Sequence, residues 1–385
     1  MFTLRFIRLT VFSAALAAAT TTAHAQRTWI VDAQRGTGYD YDTIAPALTA
    51  AAEGDSIVVR AGWYSFPQTL TKAVRLLGEG DAILDLGTYA KSFTVSGIGA
   101  GKTFVLAGFR VAAVFTPTGV AHITDCQGTV SFEDLAFDAT FLDFHTVQIE
   151  RCTSVFVSRC NIKGGIAARN STVTIDSCAV ASYTKSSTIL CDHTRATIVA
   201  SQAEGFVGLV APEQPAIGAV SSDLRVLAGS GSTFTGGRFG KIAAIVGDAN
   251  STLVLDPLVN LVPSGGANPY DGFATTTTRR MPVLAVTGST IGGVHSITVR
   301  ATASSVFALF CGLPGLAKAP PFGDSWIAPS TLFHITTRNV TAGLAILTIP
   351  ATKDVSLRGL PATWQALVVD GTNYELTNAA ITSLR

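Results

Sequence analysis

The sequence is poor in charge. Of its 385 residues, 14% are Asp, Glu, Lys or Arg, against about 25% in an ordinary soluble domain. The formal net charge is +1. That leaves neither the basic footprint of a nucleic-acid binder nor an acidic tail. Beyond the N-terminal segment there is no stretch of about 20 uninterrupted apolar residues, so the mature chain is not expected to span a membrane. No two cysteines stand as CxxC and no His lies at ligand spacing, which argues against a zinc site. No three or four Asp and Glu cluster as a calcium site would require. The fold read below buries a continuous core and needs neither metal nor cofactor.

What is present suits export and stacked strands. Arg5 and Arg8 precede an apolar run from Leu9 to Ala19, and Ala23-His24-Ala25 is a small-x-small cleavage site. Residues 1–25 therefore read as a secretory signal peptide, with a mature chain from Gln26 that is secreted or held in the cell envelope. Ser, Thr, Ala, Val and Gly dominate the remainder.

The stretch from about Gly119 to Gly205 organises the chain. Three segments in it rhyme: VAHITDCQGTVSFEDLAF, TVQIERCTSVFVSRCNI and IAARNSTVTIDSCAV. Aligned on Val130, Val155 and Val173, they place Phe132, Val157 and Ile175 two residues on, then Leu135, Cys160 and Cys178. The apolar positions alternate with Ser131 and Glu133, Phe156 and Ser158, Thr174 and Asp176. Alternation of period two describes strands with one face in and one face out. A recurrence every 18–29 residues, roughly, is the signature of a solenoid.

In such a stack Cys126 and Cys152 fall at equivalent places in adjacent coils, as do Cys160 and Cys178. Neighbouring strands lie about 4.8 Å apart, within the Cα separation that a disulfide accepts. Two disulfides, or a ladder of buried thiols, are both compatible with this spacing.

Upstream, Trp29–Val31 reads as a strand. Asp42 is placed to cap a helix from about Thr43 to Glu53, with an apolar face of Ile44, Ala47, Leu48 and Ala51. A helix there would cover the open end of the stack. Strands follow at Ser56–Arg60, Val74–Leu77 and Ala82–Leu86. The segment VDAQRGTGYDYDTIAPALTAAAEGDSIVVRAGWYSFPQTLTKAVRLLGEG resembles the N-terminal region of pectate lyase-like and pectinesterase-like right-handed parallel β-helix proteins. The matching parts are its Gly-x-Gly loop, the TI…AL helix, the GD-strand, the G-x-Tyr turn and the strand ending Leu-Leu-Gly. The motif match covers about Trp29–Gly80, and the repeat pattern extends it to about Val262. The resemblance implies the fold far more than any activity.

The repeat then breaks. VPSGGANPYDGFATTTTRR, residues 262–280, is rich in Gly, Pro and Thr and reads as a linker. From Met281 onward, short strands recur at sandwich-like intervals. The closing segment, with its Leu-x-Gly-Leu…Gln-Ala…Leu-Thr-Asn-Ala pattern, is similar to a C-terminal module of secreted proteins from planctomycete-like and myxobacteria-like bacteria. That likeness implies an accessory or surface-associated role and brings no catalytic residues. The sequence thus predicts an all-β chain: signal peptide 1–25, right-handed parallel β-helix 26–262, linker 263–280 and C-terminal β-sandwich 281–385.

Several constellations could carry chemistry. Glu133 and Asp176 share an outward position two coils apart, about 9.6 Å between backbones at 4.8 Å per coil. That is near the carboxyl separation of inverting glycosidases, although outward acids also simply solvate a face. Asp125, Glu150 and Arg151 form a second polar group suited to cross-strand pairing. Lys163, Arg169 and Arg195 could supply the base or carboxylate clamp of a lyase. Asp192-His193 is either an acid–base couple or a turn. SGIGAGKT, from Ser96 to Thr103, nearly spells a phosphate-binding loop, but a β-patterned segment follows where that mechanism needs a helix. The catalytic signatures of polygalacturonase-like chains are missing: Asn161-Ile162-Lys163 only echoes one of them. Asp143-Phe144-His145 matches only the start of the pectinesterase-like one. Two functions fit: a non-catalytic extracellular or envelope protein whose long faces bind polysaccharide, or a polysaccharide-degrading enzyme, lyase before hydrolase.

Overall fold

A computed structural model describes residues 26–88, 92–114, 119–140, 144–181, 186–205, 213–229, 231–237, 240–288 and 290–385. The expected signal peptide and Asp143 lie outside them. Parallel strands form one sheet of eleven strands and two of nine, each strand bonded to its counterpart in the next coil. The chain is a parallel β-helix. In each complete coil it runs through a nine-stranded sheet (the preceding sheet), turns a first corner into the eleven-stranded sheet, and turns a second corner into the other nine-stranded sheet.

The register follows the sequence alignment. Val130 stands opposite Val155 and Val155 opposite Val173; Phe132, Val157 and Ile175 align likewise. Inward side chains from all three sheets merge into one core that runs from Trp29 to Val259. Phe93, Phe132 and Phe137 stack along it, with ring centroids 6.1 and 6.4 Å apart.

The corners turn by one device. In the central coils the residue after the strand has positive φ: Asp125, Arg151, Asn170, His193 and Ser221 at the first corner, Asp134, Arg159, Ser177 and Ala200 at the second. After Gly, Asn, Asp and His bear this left-handed conformation most readily, and Asp125, Asp134, Asn170 and His193 are of these types. The tight turn leaves amides to satisfy, and hydroxyls from the next coil accept them. Cys152 N donates to Ser171 Oγ at 3.0 Å, Thr194 N to Ser222 Oγ at 3.0 Å and Ser222 N to Ser251 Oγ at 3.1 Å.

Four expectations need correction. All six cysteines are free thiols. Cys126, Cys152, Cys160 and Cys178 point into the coil and settle against backbone carbonyls, as Cys152 Sγ does on Ile123 O at 3.5 Å, so of the two arrangements the spacing left open the possible disulfides are absent and the ladder of thiols is formed. Burial raises the Cys178 thiol, and Cys191 to about 12, which keeps such groups unreactive. The helix is Ile44–Ala50 only, because Ala51 is already extended; Thr43 precedes it without a side-chain cap, and Asp42 instead pairs with Arg35. Residues 263–280 are no free linker. Tyr270–Asp271 and Thr275–Thr278 add strands to two of the sheets, so the solenoid runs on to Thr278.

From Val283 the strands are antiparallel, in sheets of three and five with a separate hairpin. Leu284, Ile297 and Val299 from the smaller sheet share a core with Phe307, Leu309, Trp364 and Val368 from the larger. The two antiparallel sheets face each other across this core as the layers of a sandwich.

The sandwich lies on the outer face of the eleven-stranded sheet. Phe156 meets Trp326 edge-on at 4.9 Å between centroids and packs with Ala379 and Ile381. Val199 and Leu227 pack with Met281 and Val283. Strands Thr129–Glu133 and Ser154–Ser158 are consequently buried at every residue. Strands Ala121–Thr124 and Val147–Glu150 of the preceding sheet keep alternate residues half-exposed.

Candidate functional site

The Glu133 and Asp176 register is as expected: both stand opposite Ser158, one coil to either side. Their surroundings are not. Neither solvates an outer face, because the sandwich covers both. Glu133 is 0% exposed. Its carboxylate accepts from Ser383 N at 2.9 Å and Ser383 Oγ at 2.8 Å, from Ser131 Oγ at 2.9 Å and from Arg159 Nη2 at 3.3 Å. Arg159 also forks onto Asp134 at 2.8 and 3.1 Å and donates to Ile381 O. Arg385 pairs with Asp134. Burial opposes the charge on Arg159, but Asp134, Glu133 and Asp176 outweigh it, so the guanidinium stays protonated. Burial lifts Asp176 to about 6, partly offset by Ser177 and Arg159. The cluster fastens the chain terminus to the solenoid. Arg159 was missed in the sequence, although the coil alignment that pairs Glu133 with Ser158 also sets Asp134 beside Arg159.

The remaining candidates separate. Lys163 pairs with Asp138 on the following sheet at 2.9 Å. Arg169 lies 3.8 Å from Asp192 on the preceding sheet. Arg195 reaches across to Asp324 of the sandwich at 2.8 Å. They do not converge on one clamp. SGIGAGKT is a turn leading into strand Thr103–Ala107.

The first corner carries an extended polar depression that includes Arg195 but neither Lys163 nor Arg169. An open groove of ≈570 Å³ runs along it, lined by Gln127, Arg151, Asn170, His193, Arg195 and Asp223 among others. These side chains come from five successive coils. Arg151 is braced by Asp125 at 2.6 and 3.0 Å and by Glu150 at 2.8 Å, the cross-strand pairing the sequence suggested. Asp125 is lowered to about 2 by those bonds from Arg151 and by Thr124. His193 Nδ1 lies 2.7 Å from Asp192 Oδ1, with the ring open to solvent. Among the described residues, no three His, Cys, Asp or Glu side chains are grouped so as to hold a metal ion, and no helix is long and apolar enough to cross a membrane.

No family model matches the sequence, and no curated protein matches it significantly. Among solved structures, the chain is similar to the crystal structure of pectate lyase Pel9A, at 12% identity over 66% of this chain and 78% of that one, with a TM-score of 0.31. It is also similar to the enzymatically active domain of bacteriophage CBA120 tailspike protein 4, at 12% identity and a TM-score of 0.32. That match covers 86% of this chain but spans 64% of the tailspike chain. At this identity the likeness concerns the fold alone.

Proposed function

We propose that this is an exported, non-catalytic β-helix protein that binds a linear polysaccharide along its first corner. The observation that carries the reading is the groove itself. Its Arg, Asn, Gln, His and Asp side chains repeat at the coil spacing of about 4.8 Å. A ladder of donors and acceptors at constant rise suits a ligand that itself repeats, and solenoids present such extended surfaces. A polyol needs both donors and acceptors, and the groove offers both. The face that held the candidate acid pair is sealed, so polymer cannot lie there while the sandwich is docked.

The test is retardation of the mature chain in gels containing acidic or neutral polysaccharides. At least one polymer should slow it, and Arg151→Asn with His193→Asn should abolish the effect. Asn tolerates the left-handed backbone that both positions require. Retardation by no polymer, or retardation unchanged in the double variant, would remove the reading.

One observation favours a second reading, a lyase. His193 is oriented by Asp192, stands open in the groove and has Arg195 on the same wall. An oriented His can take a proton from a uronide beside a cation that holds its carboxylate. Ultraviolet absorbance of unsaturated uronide, present in the wild type and lost in His193→Asn, would establish it.

A further inference from the structure

A second cavity, of ≈330 Å³, lies at the junction of the two domains. Pockets of this size at domain boundaries are common ligand sites. One wall is apolar, with Leu258 and Pro282 backed by Met281 and Val283, which are buried against Val199 and Leu227; Arg279, Arg280 and Arg300 line the remainder together with Asp256, Asp370 and Glu375.

The acids are spoken for. Glu375 is held by Arg279 at 2.6 and 2.8 Å and by Arg225 at 2.8 Å. Asp370 accepts from Thr302 Oγ1 at 2.7 Å. Asp256 accepts from Leu258 N at 2.9 Å and Met281 N at 3.3 Å, and Arg280 only grazes it at 3.5 Å. The Arg300 guanidinium, by contrast, has no hydrogen-bond or ion-pair partner among the described residues, although its backbone pairs within the sheet. Two guanidinium groups therefore keep donors to spare beside an apolar wall. A guanidinium fork is matched to a planar carboxylate, and the apolar wall suits the carbon face of a ring.

We propose that this cavity binds a uronate residue, a carboxylate-bearing sugar, with its carboxylate on Arg300 and Arg280. The sugar identity rests on the polysaccharide reading above; the location does not. The experiment is titration calorimetry of the mature full chain with monomeric galacturonate and glucuronate, alongside glucose and inorganic sulfate. A uronate should bind, glucose should not, and Arg300→Ala should weaken binding about tenfold or more, the size of a lost charge-assisted hydrogen bond. Arg151→Asn with His193→Asn should leave it unchanged. Arg300 is exposed, so its removal should not disturb folding, which thermal unfolding checks. No uronate heat, or binding indifferent to Arg300→Ala, would overturn the site. Sulfate binding as tight as uronate would overturn the role of the sugar ring. Each of these outcomes is independent of whether polymer binds at the first corner.

Discussion

At the scale of the residue, Glu133 is the buried acid that ties the strand Ala380–Ser383 to the solenoid. It has no access to water and is held by Arg159 and by both polar groups of Ser383. Removing one partner of a buried pair costs about 3–5 kcal/mol. Arg159 retains Asp134, so Glu133→Ala should lower unfolding stability by about 3 kcal/mol in denaturant titrations, and Glu133→Gln by less. Asp176 works in the opposite sense. Its folded-state value of about 6 exceeds its ordinary 3.8, so between those values the folded state holds a proton that the unfolded chain releases. Its contribution is therefore favourable below about pH 4 and is lost as pH rises to about 6. Asp176→Asn should remove that dependence and gain up to about 3 kcal/mol at pH 7. Matched unfolding curves at pH 4 and pH 7 read the difference directly.

At the scale of the element, the strands that the sequence showed most clearly were those of the solenoid core. Val130, Val155 and Val173 line up because inward positions must be apolar in every coil. Strand burial on the other side was also written there, in a pattern easily read past. Ser-Ile-Val-Val, Thr-Phe-Val-Leu-Ala and Ser-Val-Phe-Val-Ser run apolar on both faces, whereas Ala-His-Ile-Thr and Val-Gln-Ile-Glu alternate. Near-continuous apolar strands mark a sheet covered on both sides. What period two alone could not supply was the covering partner, more than a hundred residues away. Strands at 270–271 and 275–278 were hidden for a different reason. Tyr-Asp and Thr-Thr-Thr-Thr are too short and polar to stand out from turns, and their pairing onto the stack makes them strands. The docked contact is close at Gly359: its φ is +81°, and a Cβ there would stand 2.7 Å from Ser56 Oγ and 2.9 Å from Leu77. Gly359→Val should loosen the sandwich from the solenoid. Hydrogen exchange should then rise in strands Thr129–Glu133 and Ser154–Ser158, while strands of the preceding sheet keep their protection. Equal protection in both sheets would show that the contact at Gly359 does not hold the domains together.

At the scale of the whole molecule, one face of a three-sided prism is closed and two are open. Along the closed face, ion pairs Arg195–Asp324, Arg225–Glu375 and Arg385–Asp134 flank the apolar contacts. Glu133 and Asp176, which the sequence offered either as an acid pair or as two acids solvating an outer face, stand in the expected register but are buried, because exposure depends on the second domain. The groove at the first corner was present in the sequence only as its parts: Arg151 in a polar group with Asp125 and Glu150, and Asp192-His193 as either an acid–base couple or a turn. Their shared left-handed backbone and common coil position turn separate residues into a ladder. The most direct test is hydrogen exchange of the mature chain with and without the polysaccharide that retards it best. New protection is expected at 151–153, 170–172, 193–195 and 221–223, with the rest of the eleven-stranded sheet, beyond the first residue of its strands at this corner, unchanged. Protection confined to the outer face of that sheet, around Glu133 and Asp176, would contradict it and return function to the face now described as sealed.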